Sequence, residues 1–220
     1  MSFFYNENNL FNVIFNKLGD IIIANLLFLL CSIPLITIGP SLTALYHCTL
    51  RIVKGNNPGT AKVFFRAFKE NFRQSIIIWA VFLCLLLILL LNIRFLLSTD
   101  NSYGQIFLYL TMGILVLVII GAIYIFPVIA AFSNSLKNLL RNSYIFAFMH
   151  FPSTAAVTIL SLLPMYMTYQ DLNLLPLYAF CWFFFGFALT AWINSFFFYR
   201  MFKPYLEPDG HTEMESSDIS

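Results

Sequence analysis

Long apolar runs separated by short polar stretches set the frame of this chain. A membrane-crossing helix needs about 20 mostly apolar residues, and four runs reach that length: roughly 18–36, 76–97, 106–132 and 177–199. A fifth, roughly 153–170, is shorter and carries Pro164. The stretch 41–53 is apolar as well, but at about 1.5 Å per residue it falls short of the hydrocarbon core. It reads as a short return helix or a half-buried one. The pattern predicts an all-α polytopic membrane helix bundle of about six transmembrane helices, with five as the alternative.

The polar positions orient the spans. Half of the Lys and Arg residues, Arg51, Lys54, Lys62, Arg66, Lys69 and Arg73, fall in one short stretch between apolar runs. Bases gather on the cytoplasmic side of bacterial membranes. If 41–53 crosses, eleven of the twelve bases lie inside, leaving only Arg94 near the outer face, and both termini are cytoplasmic. With five spans the N-terminus is outside and Lys17 joins Arg94 there. Pro34 and the Gly39-Pro40 pair favour six, since proline breaks a helix and Gly-Pro marks a reversal. The outer connections, Ser98–Gly104 and Gln170–Asn173, are minimal polar turns.

Composition excludes a water-soluble globule. With 220 residues, 60% hydrophobic, 10% charged and a mean hydropathy of +0.82, the chain has too little polar surface to coat a core of that size. Residues 1–203 read as one integral membrane domain, and 204–220, with five acidic residues, as a disordered cytoplasmic tail. The first apolar run lacks early bases and a small-residue cleavage site, so it is expected to stay in the mature protein.

From Lys62 to Ser75 the spacing is helical. Lys62, Arg66, Lys69 and Arg73 form a stripe beside Phe64, Phe65, Phe68 and Phe72. This predicts an interfacial basic elbow whose Phe residues sink to the acyl boundary while its bases meet anionic headgroups. It either anchors the next span or docks a cytoplasmic partner. Lys69–Ser75 aligns without a gap with Lys137–Ser143, which carries Lys137 and Arg141, and each copy precedes two spans. Elbow-plus-hairpin repeats in one orientation follow from this reading; chance similarity of membrane-boundary residues is the alternative.

Candidate chemistry is sparse. No ionisable side chain sits at mid-span, where it would be costly and usually functional. Asn25, Asn92 and Asn194 suit hydrogen bonds between helices better than a substrate path. His47 and His150 lack acidic or Cys companions at ligand spacing, and Cys31, Cys48, Cys84 and Cys181 stand singly in apolar segments. Gly113 and Gly121 are spaced for close helix packing on one face. No phosphate-cradling loop is present, and nucleic-acid binding is disfavoured because lipid headgroups are the nearest phosphates to the bases. The reading is a non-enzymatic protein with no cofactor and no metal. Candidate contacts with the membrane surface or a partner are Lys62, Arg66, Lys69, Arg73, Lys137 and Arg141, and the structural turn is Pro34, Gly39 and Pro40.

Two blocks carry a family resemblance. Pro34–Ser41 with Thr43–Tyr46, and Phe64–Gln74 with its Phe-x-x-x-Phe-Lys-x-Asn-Phe pattern, resemble the YesL-like family of small bacterial integral membrane proteins. The resemblance implies the plasma membrane of a bacterium, mainly a Firmicute. It also implies an accessory role in carbohydrate uptake or utilisation, for example beside the subunits of a sugar ABC transporter. It carries no catalytic or binding residues. A facilitator or channel for a small polar or sugar-like solute is the competing expectation.

Overall fold

The computed structural model describes residues 10–55, 59–98 and 102–206, with side chains from Phe15 onward except that of Ser102. The described residues form helices joined by short turns: α1 (Leu10–Cys31), α2 (Ile38–Lys54), α3 (Thr60–Leu97), α4 (Ser102–Ala131), α5 (Leu136–Met149), α6 (Phe151–Gln170), α7 (Leu175–Cys181) and α8 (Phe187–Leu206). A π turn, Trp182–Gly186, joins α7 to α8, and 3-10 turns precede α2 and α7. Four helical stretches among the described residues are long and apolar enough to cross a membrane: Thr60–Leu97, Tyr103–Ala131, Phe151–Gln170 and Leu172–Leu206.

Contacts between helices fix their directions. Asn92 accepts from Thr111 and Trp79 packs on Phe126, so α3 and α4 are antiparallel. Tyr124 meets Phe198 and Phe132 meets Phe202, so α8 runs parallel to α4, while Ser161 bonds Asn194 and Thr168 bonds Trp182, so α6 is antiparallel to the last helical stretch. Consequently α3 and α6 run one way and α4 and α8 the other. The core lies toward one end: Phe64, Ile125, Val128, Leu139, Phe198 and Phe202 are buried there, whereas Leu87, Leu91, Phe107 and Tyr109 are exposed further along. That exposure suits hydrocarbon, where apolar side chains need no cover.

The basic stretch is not a separate helix. No Gly or Pro interrupts 60–97, so the helix continues unbroken from the bases into the apolar run. Its 38 residues span about 57 Å, nearly twice a ~30 Å hydrocarbon core, so the charged end is the one that leaves the hydrocarbon. Its aromatic face meets protein as well as lipid: Val63, Phe64 and Ala67 are buried, and Phe68 packs against them. Thr43 bonds Ser75 at 2.8 Å and the Cys48 thiol donates to the Thr60 carbonyl. These contacts lie five residues apart on α2 and fifteen on α3, so the basic stretch crosses the end of α2 instead of running alongside it. In the second unit α5 and α6 do break, at His150, because Pro152 in the first turn of α6 has no N–H for the preceding turn.

The turn after α1 also differs from expectation. The first run ends its helix at Cys31, not 36, and the reversal is made by 32–34 with the 3-10 turn Leu35–Thr37, where Thr37 Oγ1 donates to the Cys31 and Pro34 carbonyls. Pro34 is extended within that reversal. Gly39 and Pro40 instead lie buried in the first turn of α2, where proline costs no hydrogen bond. Gly39 is there for contact: a Cβ on it would stand 2.6 Å from Trp79 Cβ and 2.7 Å from the Ser75 carbonyl oxygen. Of the expected glycine pair, Gly121 packs against Tyr144 while Gly113 faces open space. Residues 204–206 continue α8, and the rest of the tail, 207–220, lies outside the described residues.

Gly39→Ala should therefore lower stability by about 1–3 kcal/mol through overpacking. Gly113→Ala should be neutral or gain up to about 1 kcal/mol of helix propensity. Thermal unfolding of the purified protein in mild detergent compares the two.

Candidate functional site

The bases collect at one end of the bundle. Thr60, at the start of α3, donates to Asp20 of α1, which brings Lys17 to the same end. The Gln74 side chain donates to the Asn134 carbonyl, so the end of the α3 basic stretch adjoins the start of α5. Lys62, Arg66, Lys69, Arg73, Lys137 and Arg141 are all exposed there, as are Arg200 and Lys203. Arg51 and Lys54 close α2 at this end, where the left-handed Gly55 gives its N–H back to the Arg51 and Ile52 carbonyls. Arg94, in the last turn of α3, is the base at the other end.

A buried asparagine ties the first helix to the last. A π turn leaves backbone groups without their usual i→i+4 partners, and the one at 182–186 is repaired from α1. Asn25 is fully buried; its Nδ2 donates to the carbonyls of Trp182 at 3.0 Å and Phe183 at 2.8 Å, and its Oδ1 accepts from the Ala188 N–H at 2.9 Å. Gly186 makes room for the Trp182 ring, which a Cβ would meet at 2.6 Å. Nothing in hydropathy signals this turn. Its only sequence trace is Asn25 itself, a polar residue in an otherwise apolar run.

Inside the bundle, polar side chains mostly serve helix-to-helix bonds. Thr43 pairs with Ser75, Thr49 with Ser195 at 2.8 Å, Tyr124 with Thr154 at 2.7 Å and Asn194 with Ser161 at 2.9 Å. Asn92 links α3 to α4 through Thr111. His47 shares a hydrogen bond with the Ala130 carbonyl at 3.0 Å, joining α2 to α4, and His150 sits at the break before α6. The four cysteines are free and lie on separate helices, and among the described residues no three His, Cys, Asp or Glu side chains converge.

Between α2, α3, α4, α6 and α8 lies a cleft of about 290 Å³. Leu83, Leu86, Ile119, Ile123 and Met165 form apolar walls, aromatic rings of Trp79, Phe82, Phe126 and Phe187 close it, and Tyr46, Ser161 and Thr190 add hydroxyls. Sequence reasoning did not anticipate it, because its lining is drawn from five helices.

These features define a multi-pass helical membrane protein with a segregated basic end and an apolar cleft between helices. Residues 21–93 match the family described as protein of unknown function, DUF624, a stretch that runs from the second half of α1 through α2 and most of α3. No curated protein and no solved structure matches the chain.

Replacing Asn25 by Ala should leave two carbonyls and one N–H without partners in an apolar setting, at about 1–3 kcal/mol for each group. Deleting Phe184 in the same chain should close the π turn to an α turn and recover part of that loss. Thermal melting of the single and double variants measures both.

Proposed function

We propose that this chain is a non-enzymatic accessory protein of a bacterial cell membrane, docked through its basic end to a partner in the cytoplasm or beside it in the membrane. The observation that carries the reading is the segregation of exposed bases to one end while interior polar groups are spent on bonds between helices. In this reading the bundle crosses six times, α1 and the short α2 forming the first hairpin, with both termini cytoplasmic. The basic starts of α3 and α5 then act as the two elbows of a repeated unit, an arrangement supported by the shared direction of α3 and α6. Each base near an anionic surface contributes roughly 1 kcal/mol, so the nine exposed bases of this end, Lys54 included, favour either headgroups or an acidic partner. The association with carbohydrate uptake, and with sugar ABC transporter subunits as partners, rests on the family resemblance. A sugar facilitator fits less well, since the cleft walls are nearly all apolar.

Tagged protein purified in mild detergent from sugar-grown cells should bring down a transporter subunit, and charge reversal of Lys62, Arg66, Lys69 and Arg73 should remove it. Recovery of the protein alone would sink the accessory reading; flux of sugars into liposomes holding only this chain would favour the facilitator. In a cysteine-free background, an impermeant maleimide applied to intact cells should label Ser98→Cys and spare Lys69→Cys.

A further inference from the structure

The basic end is short of acid among its own helices. Nine exposed bases gather there, while the acidic side chains described at that end are Asp20, which accepts from Thr60, and Glu70. A surface of one sign repels itself and draws counter-charge. The chain carries that counter-charge in one place: five of its ten acidic residues, with no Lys or Arg among them, fall in 207–220.

The fold delivers this segment to the basic end. α8 closes at Leu206, and Tyr205 packs on Phe146 of α5 with ring centroids 5.3 Å apart, so the acidic segment starts beside α5. Arg141 and Lys137 lie about 8 and 14 Å along α5 from Phe146, and the bond from Gln74 to the Asn134 carbonyl joins the start of α5 to the α3 basic stretch. Pro208-Asp209-Gly210 is turn chemistry, suited to sending a chain that leaves α8 back toward the face it came from. Past that turn, Glu213, Glu215 and Asp218 fall within 211–218, a stretch that reaches about 26 Å when extended. Acids two residues apart in an extended chain sit about 7 Å apart on one side, close to the rise of about 6 Å between Lys137 and Arg141 or between Lys69 and Arg73. A tether this short also holds its acids at an effective concentration on the order of millimolar. We infer that the acidic segment 207–220 folds back over the basic end as a strap, with Glu213, Glu215 and Asp218 pairing with the bases of α5 and α3, and so competes with an external acidic partner for them. The fold-back stands on charge and reach alone; its use in regulating docking rests on the function proposed above.

The test uses the full chain in phosphatidylcholine nanodiscs and a water-soluble carbodiimide, which joins a carboxylate to a lysine amine only where the two already touch. Peptide mapping should find links from Glu213, Glu215 or Asp218 to Lys137 and Lys69 of the same chain. They should disappear in about 1 M salt, where the screening length falls to about 3 Å. The triple variant Glu213→Gln, Glu215→Gln and Asp218→Asn should bind a fluorescent poly-glutamate peptide about three- to ten-fold more tightly than the native chain, and melting curves should be unchanged. Equal affinity of the two chains for the peptide overturns the proposal. So do links confined to Lys203, the nearest lysine in sequence, or links that join separate chains when light and heavy-isotope protein is mixed. None of these results bears on whether a transporter subunit is recovered from cells, so the strap and the docking role fail separately.

Discussion

A π turn inside an apolar bundle survives only if its loose backbone groups are satisfied from another helix, and Asn25 supplies all three bonds at once. The consequence reaches along the last helix. One extra residue in a turn rotates everything after it by about 100°, so the bulge sets which face of α8 looks inward. After it, Ala188, Ala191, Asn194, Ser195, Phe198 and Phe202 are buried in succession, the three-and-four spacing of a helix seated against neighbours. Those residues carry the bonds to α2 and α6 and the ring contacts with Tyr46 and Tyr124. The seat of the last helix thus hangs on one carboxamide from the first.

A second constraint acts where α2 meets α3. The reversal after α1 leaves α2 with 17 residues, about 26 Å, so its contact with α3 has to be close. Gly39 permits backbone-near approach at Ser75 and Trp79, the Trp79 indole donates to the Leu35 carbonyl at 2.8 Å, and Thr43 bonds Ser75. Family similarity over 21–93 covers this hairpin and its α3 contact together, so the matched stretch is also a packing unit.

Polar groups are divided by depth. Charges stay at one end, where water and headgroups meet them. Deeper, Thr, Ser, Asn and Tyr bond across helices, as hydrocarbon demands of any buried donor or acceptor. The cleft interrupts this pattern with a largely apolar gap in the packing. Its position among five helices explains why it gathers hydroxyls from α2, α6 and α8, no two of which are neighbours in the chain.

By itself the sequence determined that the chain is a helical membrane protein, roughly where its apolar helices lie, and that its bases mark one side, because hydropathy and charge are summed locally along a run of residues. It also exposed the six bases in the first halves of α3 and α5 as surface groups, since a long charged side chain has no place in hydrocarbon. Breaks and contacts were another matter. Gly39-Pro40 reads as a reversal but lies inside a helix, because proline is harmless in a first turn and the glycine is needed by Trp79, a residue forty positions away. The Phe stripe beside the bases reads as lipid-facing, yet Phe64 is fully buried, since α2 lies where lipid was expected. The π turn, its repair by Asn25 and the bond of Asn194 to Ser161 depend on pairs separated by more than thirty residues, and only the tertiary structure decided them, because a hydrogen bond is made by distance in space and hydropathy keeps no record of it.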